Sequence, residues 1–130
     1  MRLADLFDCF LIDLDGVVYV GDNPTEGAAE TIEQLKKSGK IVIFLTNDPR
    51  KTAAEYSEKL RSMGIAVSPG DVVTSGMAIA HHIRSTHPDI GGKKAYVVGS
   101  PSLKKEISLT GLSVVSGEDA ADADIVIVGG

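Results

Sequence analysis

The stretch "FLIDLDGVVYVGD", residues 10–22, decides the fold of this chain. Together with Cys9 it opens as a short apolar run bounded by acids, the pattern of a buried strand. The run ends on Asp13 and Asp15 with a single leucine, Leu14, between them, and Gly16 then permits a sharp exit turn. One acid behind a strand reads as a turn signal. Two so close ask for a chemical reason, because turn chemistry seldom sets paired acids directly behind a buried strand.

Outward from this stretch, strands and helices alternate. In "TEGAAETIEQLKKSG" (25–39), Ala28, Ile32 and Leu35 recur at helical spacing, with Thr25 as the expected N-cap and Gly39 as the stop. "KIVIFLTN" (40–47) reads as a second buried strand, and "PRKTAAEYSEKLRSMG" (49–64) as a second helix with Ala53, Tyr56, Leu60 and Met63 on one face. "DVVTS" (71–75) is a third strand, and Met77, Ala80 and Ile83 mark the helix after it. Continuous apolar strands alternating with helices predict an α/β fold: a doubly wound parallel sheet covered on both faces, with right-handed crossovers.

The clear break is "STHPDIGGKK" (85–94), with Pro, two Gly and mixed polar residues. After it the pattern restarts: strand 95–100, a short helix, strand "LSVVS", an acidic helix or loop "GEDAADAD", and strand "IVIVGG". The chain stops directly behind a buried-type strand, an unusual place for a native terminus, and is therefore expected to be a piece of a longer protein.

Composition removes several function classes. The chain has 130 residues, 43% of them hydrophobic, and a net charge of −5, so one domain, or a larger one cut short, is expected. Basic residues cluster no further than Lys36-Lys37, Lys93-Lys94 and Lys104-Lys105, which argues against a nucleic-acid groove. No apolar run approaches the roughly 18 residues of a membrane span, and acids interrupt what would be a signal peptide's apolar region. Cys9, the single cysteine, excludes an internal disulfide, fits a reducing cytoplasm and reads as a small core residue. His81, His82 and His87 read as exposed or helix-end residues, since neighbours on a helix point about 100° apart. Asp119, Asp122 and Asp124 read as a solvated face.

Ligands of open α/β sheets bind at the carboxyl ends of the strands. Asp13 and Asp15 follow the first strand there, Thr46 and Asn47 the second, and Ser75 the third. A carboxylate held at a strand end can attack phosphorus as a nucleophile. It can also give an oxygen to Mg²⁺, a hard cation that takes one or two carboxylates plus phosphate and water. A second carboxylate two residues on can protonate the leaving oxygen and then activate water. Thr46 and the backbone N–H groups around Leu14, Asp15 and Asn47 can hold phosphate oxygens. A calcium loop fails, because Val17 and Val18 stand where that loop needs an oxygen ligand and a glycine. Taken singly, Asp13 and Asp15 could cap a turn, and Thr46 and Asn47 could cap a helix; their meeting at one sheet edge favours chemistry.

At these residues the chain resembles the haloacid dehalogenase superfamily of phosphohydrolases. "FLIDLDGVVY" is similar to its first motif and "IVIFLTN" to its second, and the likeness through about residue 84 is to the NagD-like and 4-nitrophenylphosphatase group. The resemblance implies a Rossmann-like core half over 1–84, a linker at 85–94 and the start of an α/β cap domain over 95–130. It implies Asp13 as nucleophile and Mg²⁺ ligand, and Asp15 as general acid/base that lends its carbonyl to the metal. It implies phosphate or substrate binding by Leu14, Gly16, Thr46 and Asn47. Asp48 stands where the group usually has a second Asn, and Arg50 can offset its charge. The family's third-motif lysine and fourth-motif acids are not convincingly present. A compact alternative without a cap would make "IVIVGG" the fourth-motif strand, with Lys104 or Lys105 as the lysine.

The resulting expectation is a Mg²⁺-dependent phosphomonoesterase acting through an aspartyl-phosphate on a small phosphorylated metabolite: a sugar, polyol, glycolate or aryl phosphate. A homodimer is the expected assembly, and residues 1–130 alone are expected to be inactive. Two rivals stay open, a receiver-like phosphoacceptor module and a non-catalytic binding protein with the same fold.

Overall fold

The computed structural model describes all residues, 1–130. It divides into two compact units, Met1–Thr46 with Ala53–Val73, and Asn47–Thr52 with Thr74–Gly130. The division in the chain after Val73 differs from the break read at 85–94. The helix that follows it packs with the second half of the chain.

The first unit is built on β1 (Cys9–Asp13), β4 (Ile41–Thr46) and β5 (Val72–Thr74), in the order β1-β4-β5. Between β1 and β4 come a hairpin of β2 (Tyr19–Val20) and β3 (Asn23–Pro24) and then α1 (Ala28–Lys37); α2 (Ala53–Ser62) follows β4. β1 and β4 run parallel, with Cys9 beside Ile41 and Asp13 beside Leu45. Leu14, Val18, Tyr19, Ile32, Val42, Phe44, Tyr56 and Leu60 are part of one buried core. Gly39 and Gly64 stop the helices at φ 76° and 83°, a left-handed turn that suits glycine. Thr25 is not the N-cap of α1; Gly27 is, at φ 76°, while Thr25 gives its backbone carbonyl to the Ala28 N–H.

Within the first unit, α1 and α2 cover one face of the sheet. Its strands are laid down successively in one direction, and two right-handed crossovers of that kind put both helices on the same side. Val42, Phe44 and Thr46 are buried on the covered face, whereas Cys9, Leu11, Asp13 and Ile41 are exposed on the other. Cys9 is therefore a surface residue and not part of the core.

The second unit contains α3 (Ser75–Thr86), β6 (Lys94–Val98), α4 (Pro101–Ser108), β7 (Ser113–Val115) and β8 (Ile125–Val128). The strands form a separate parallel sheet in the order β7-β6-β8. Ile83, Ala95, Val97, Leu103, Ile107, Leu112 and Ile127 make its core. Because β8 pairs with β6, "IVIVGG" is no strand of the first sheet, which removes the compact, cap-less arrangement. Asp124 is structural: its carboxylate and its N–H bond the N–H and carbonyl of Lys94.

Candidate active site

Asp13 is the last residue of β1 and lies on the open face, exposed. Its Oδ1 accepts the N–H of Leu14 at 2.9 Å, which orients the carboxyl, while Oδ2 has no partner in the protein. Leu14 turns the other way and is fully buried. Its carbonyl accepts N–H bonds from Val17, Val18 and Tyr19, winding the chain into a tight loop behind the strand. Asp15, exposed on that loop, pairs with Tyr19 in an isolated bridge, and the Gly16 N–H closes the loop on the Tyr19 carbonyl at 2.8 Å. Gly16 sits at φ 83°, where a side chain would strain the turn. The two aspartates thus straddle a core anchor: Leu14 holds the loop down and both carboxylates face solvent.

The amides of Leu14 and Gly16 are already engaged, that of Leu14 also by the Leu45 carbonyl at 3.1 Å. Thr46 ends β4 one residue beyond the partner of Asp13 and is buried. Within the first unit, then, Asp13, Asp15 and Thr46 share the carboxyl edge of one sheet.

Asn47 begins the segment 47–52 of the second unit and is exposed. Its carbonyl accepts the Ser75 hydroxyl at 2.8 Å, so Ser75 ties down a loop. Thr74 caps α3, its side chain accepting the Met77 N–H. Arg50 clasps Asp48 through Nε and a terminal guanidinium nitrogen at 2.7–2.9 Å, which satisfies the acid locally. A cavity of about 510 Å³ in this unit is lined by apolar residues such as Ile79, Ile83 and Leu103, with no carboxylate.

The four lysines of the first unit are all committed to carboxylates: Lys36 to Asp71, Lys37 to Glu33, Lys40 to Asp8 and Lys59 to Asp22. Nor does any group of three His, Cys, Asp or Glu side chains gather to hold a metal.

The family model for haloacid dehalogenase-like hydrolases matches residues 10–113, most of the chain and all of the loop just described. The chain belongs to this family. A haloacid dehalogenase-like chain of this kind has relatives among named phosphatases. It is 34% identical over 119 residues to the chloroplastic phosphoglycolate phosphatase 1A of Arabidopsis thaliana, covering 91% of this chain and 32% of the relative. It is 36% identical over 123 residues to an acid sugar phosphatase of Staphylococcus epidermidis, covering 95% of this chain and 45% of the relative. Among solved structures, a glycerol phosphate phosphatase from Mycobacterium tuberculosis in complex with magnesium superimposes with a TM-score of 0.85 at 32% identity, over 97% of this chain and 36% of that one. NagD from E. coli K-12 gives 0.79 at 30% identity, over 94% and 46%. The likeness to the NagD-like group is thus shared by sequence and fold. The chain spans between about a third and just under half of the length of these relatives.

Proposed function

We propose that the protein is a Mg²⁺-dependent phosphomonoesterase that works through an aspartyl-phosphate on Asp13. The observation that carries this is the state of the Asp13 carboxyl: one oxygen oriented by the Leu14 N–H, the other unengaged and exposed, with Asp15 on the next turn of chain. In the first step an Asp13 oxygen forms a bond to phosphorus as the ester P–O bond breaks, and Asp15 gives its proton to the departing alcohol. In the second step Asp15 takes a proton from water, the water oxygen bonds to phosphorus, and the bond to Asp13 breaks to release phosphate. Thr46, Asn47 and the Asp15 N–H are the donors for the phosphoryl oxygens, and Leu14 and Gly16 shape the loop that presents them.

Hard oxygen donors are what Mg²⁺ takes, and Asp13 with the Asp15 carbonyl fits by type. When bound, the ion would offset charge between carboxylate and phosphate. This chain offers no third acid to that site. With the four lysines of the first unit committed as well, residues 1–130 fit half of a working site, with 95–130 as the start of a cap and 1–84 as half of a core. The substrates fit the pattern of the relatives named for phosphoglycolate, acid sugars and glycerol phosphate. They would be small phosphate esters handled in the cytoplasm, with the enzyme a homodimer.

The test is hydrolysis of 4-nitrophenyl phosphate with Mg²⁺ by the protein and by Asp13→Asn. Loss of turnover in the variant, with a hydroxylamine-sensitive acyl-phosphate in the parent, supports the assignment. Turnover that survives Asp13→Asn sinks it. A long-lived acyl-phosphate without turnover would instead favour a receiver-like module, and failure of the full-length parent to hydrolyse any phosphomonoester a binding protein.

A further inference from the structure

We propose that Lys59 is a positioning residue that clamps the Tyr19–Pro24 hairpin and, through Tyr19, fixes the loop carrying Asp15. Lys59 lies on α2, remote in sequence from the hairpin, and makes two contacts to it. Its ammonium stands 4.1 Å from the centre of the Tyr19 ring and 3.4 Å from Asp22 Oδ1 at the hairpin turn. A cation over an aromatic face within about 6 Å is attracted by the ring quadrupole. The contact gains from partial desolvation, because the Lys59 side chain is 20% exposed and Tyr19 is buried. Asp22 is exposed, so that ion pair alone is weak.

The clamp matters because of what Tyr19 holds. Its carbonyl accepts the Gly16 N–H and its own N–H reaches the Leu14 carbonyl, so Asp15 is bracketed on both sides by bonds to one residue. β2 and β3 have two residues each, and a hairpin so short is marginal without outside support. The Thr25 N–H on Val18 closes its base, and Lys59 supplies a hold on its turn. The inference rests on the assignment of Asp15 as acid/base, but the clamp itself can be read without any turnover.

Two variants of the protein separate the possibilities. Lys59→Met keeps the aliphatic stem and removes the charge; Lys59→Arg restores a cation able to reach both ring and carboxylate. Amide hydrogen exchange at Gly16 and Thr25 is expected to speed up by about three- to ten-fold in Lys59→Met, with β4 amides unchanged and Lys59→Arg near the parent. Unchanged exchange at Gly16 and Thr25, or an equal rise at β4, overturns the clamp. In an enzyme that Asp13→Asn inactivates, Lys59→Met is expected to lower kcat with KM held, and Lys59→Arg to rescue it. A loosened hairpin with kcat intact overturns the positioning role. If the full-length parent hydrolyses no phosphomonoester, the phosphatase assignment fails while the exchange result still decides the clamp.

Discussion

Gly99 and Gly129 approach back to back in the second unit, so closely that a Cβ built on Gly99 would collide with the Gly129 carbonyl oxygen and stand 2.7 Å from Leu103 Cδ2. The Gly129 N–H also donates to the Val98 carbonyl at 2.9 Å, locking the ends of β6 and β8 together. A backbone oxygen cannot swing aside as a flexible side chain can. Gly99→Ala is therefore expected to destabilise the unit by about 1–3 kcal/mol, the usual cost of overpacking. Denaturant unfolding followed by a probe in this unit checks it; a midpoint equal to that of the parent would refute the close approach.

Leu14 separates the two aspartates and is fully buried. Leu14→Ala is expected to lower stability by about 2–5 kcal/mol, the range for a leucine deleted from a packed core. The same change frees the loop that carries Asp15, so activity should fall further than the unfolded fraction accounts for. Comparing kcat per folded molecule, with folding read by circular dichroism, distinguishes the two effects.

Asp15→Asn removes the proton donor but leaves Asp13 in place. For an alkyl phosphate, whose leaving oxygen needs a proton, a loss of about 10²–10⁴-fold is expected. For 4-nitrophenyl phosphate the phenolate leaves unaided, so the first step should be much less affected and phosphoenzyme should accumulate. A burst of nitrophenolate followed by slow turnover is the expected trace, and equal losses on both substrates would remove Asp15 from the proton's path.

At the N-terminus, the Arg2 backbone N–H donates to Asp5 at 2.9 Å, and this bond is the main reason the Asp5 carboxyl titrates below its usual 3.8; the Arg2 charge adds to it and desolvation opposes it. A lowered folded value means the turn is supported at pH above the unfolded value, and that this support is lost as pH falls through the folded one. A carbon-detected NMR titration should give an Asp5 midpoint below 3.8 in the native protein and a return toward it in urea.

Much of this arrangement was legible in the sequence, and the exceptions share a cause. β1 and β4 announced themselves as apolar runs, and Gly39 and Gly64 ended the helices where left-handed turns were needed. Asp13, Asp15 and Thr46 could be gathered at one edge because strand ends in a parallel sheet point the same way. Thr25 misled because a threonine ahead of a helix can serve through its backbone carbonyl, leaving Gly27 to cap. The exposure of Cys9 and Leu11 was invisible, since an apolar strand looks alike whether one helical layer covers its sheet or two. The engagement of the Leu14 and Gly16 amides and the reach of Lys59 to Tyr19 depend on how the chain returns on itself, which local periodicity does not encode.

The open face of the first sheet has a practical side. Leu11 and Ile41, at 64% and 58% exposure, are large apolar side chains on this face, which also carries the exposed Cys9. Contiguous patches of this sort bind fluorescent hydrophobic dyes and drive self-association. Residues 1–130 handled alone are therefore expected to self-associate more as their concentration rises, and a charged residue placed at position 11 should relieve it without disturbing the buried side of the sheet.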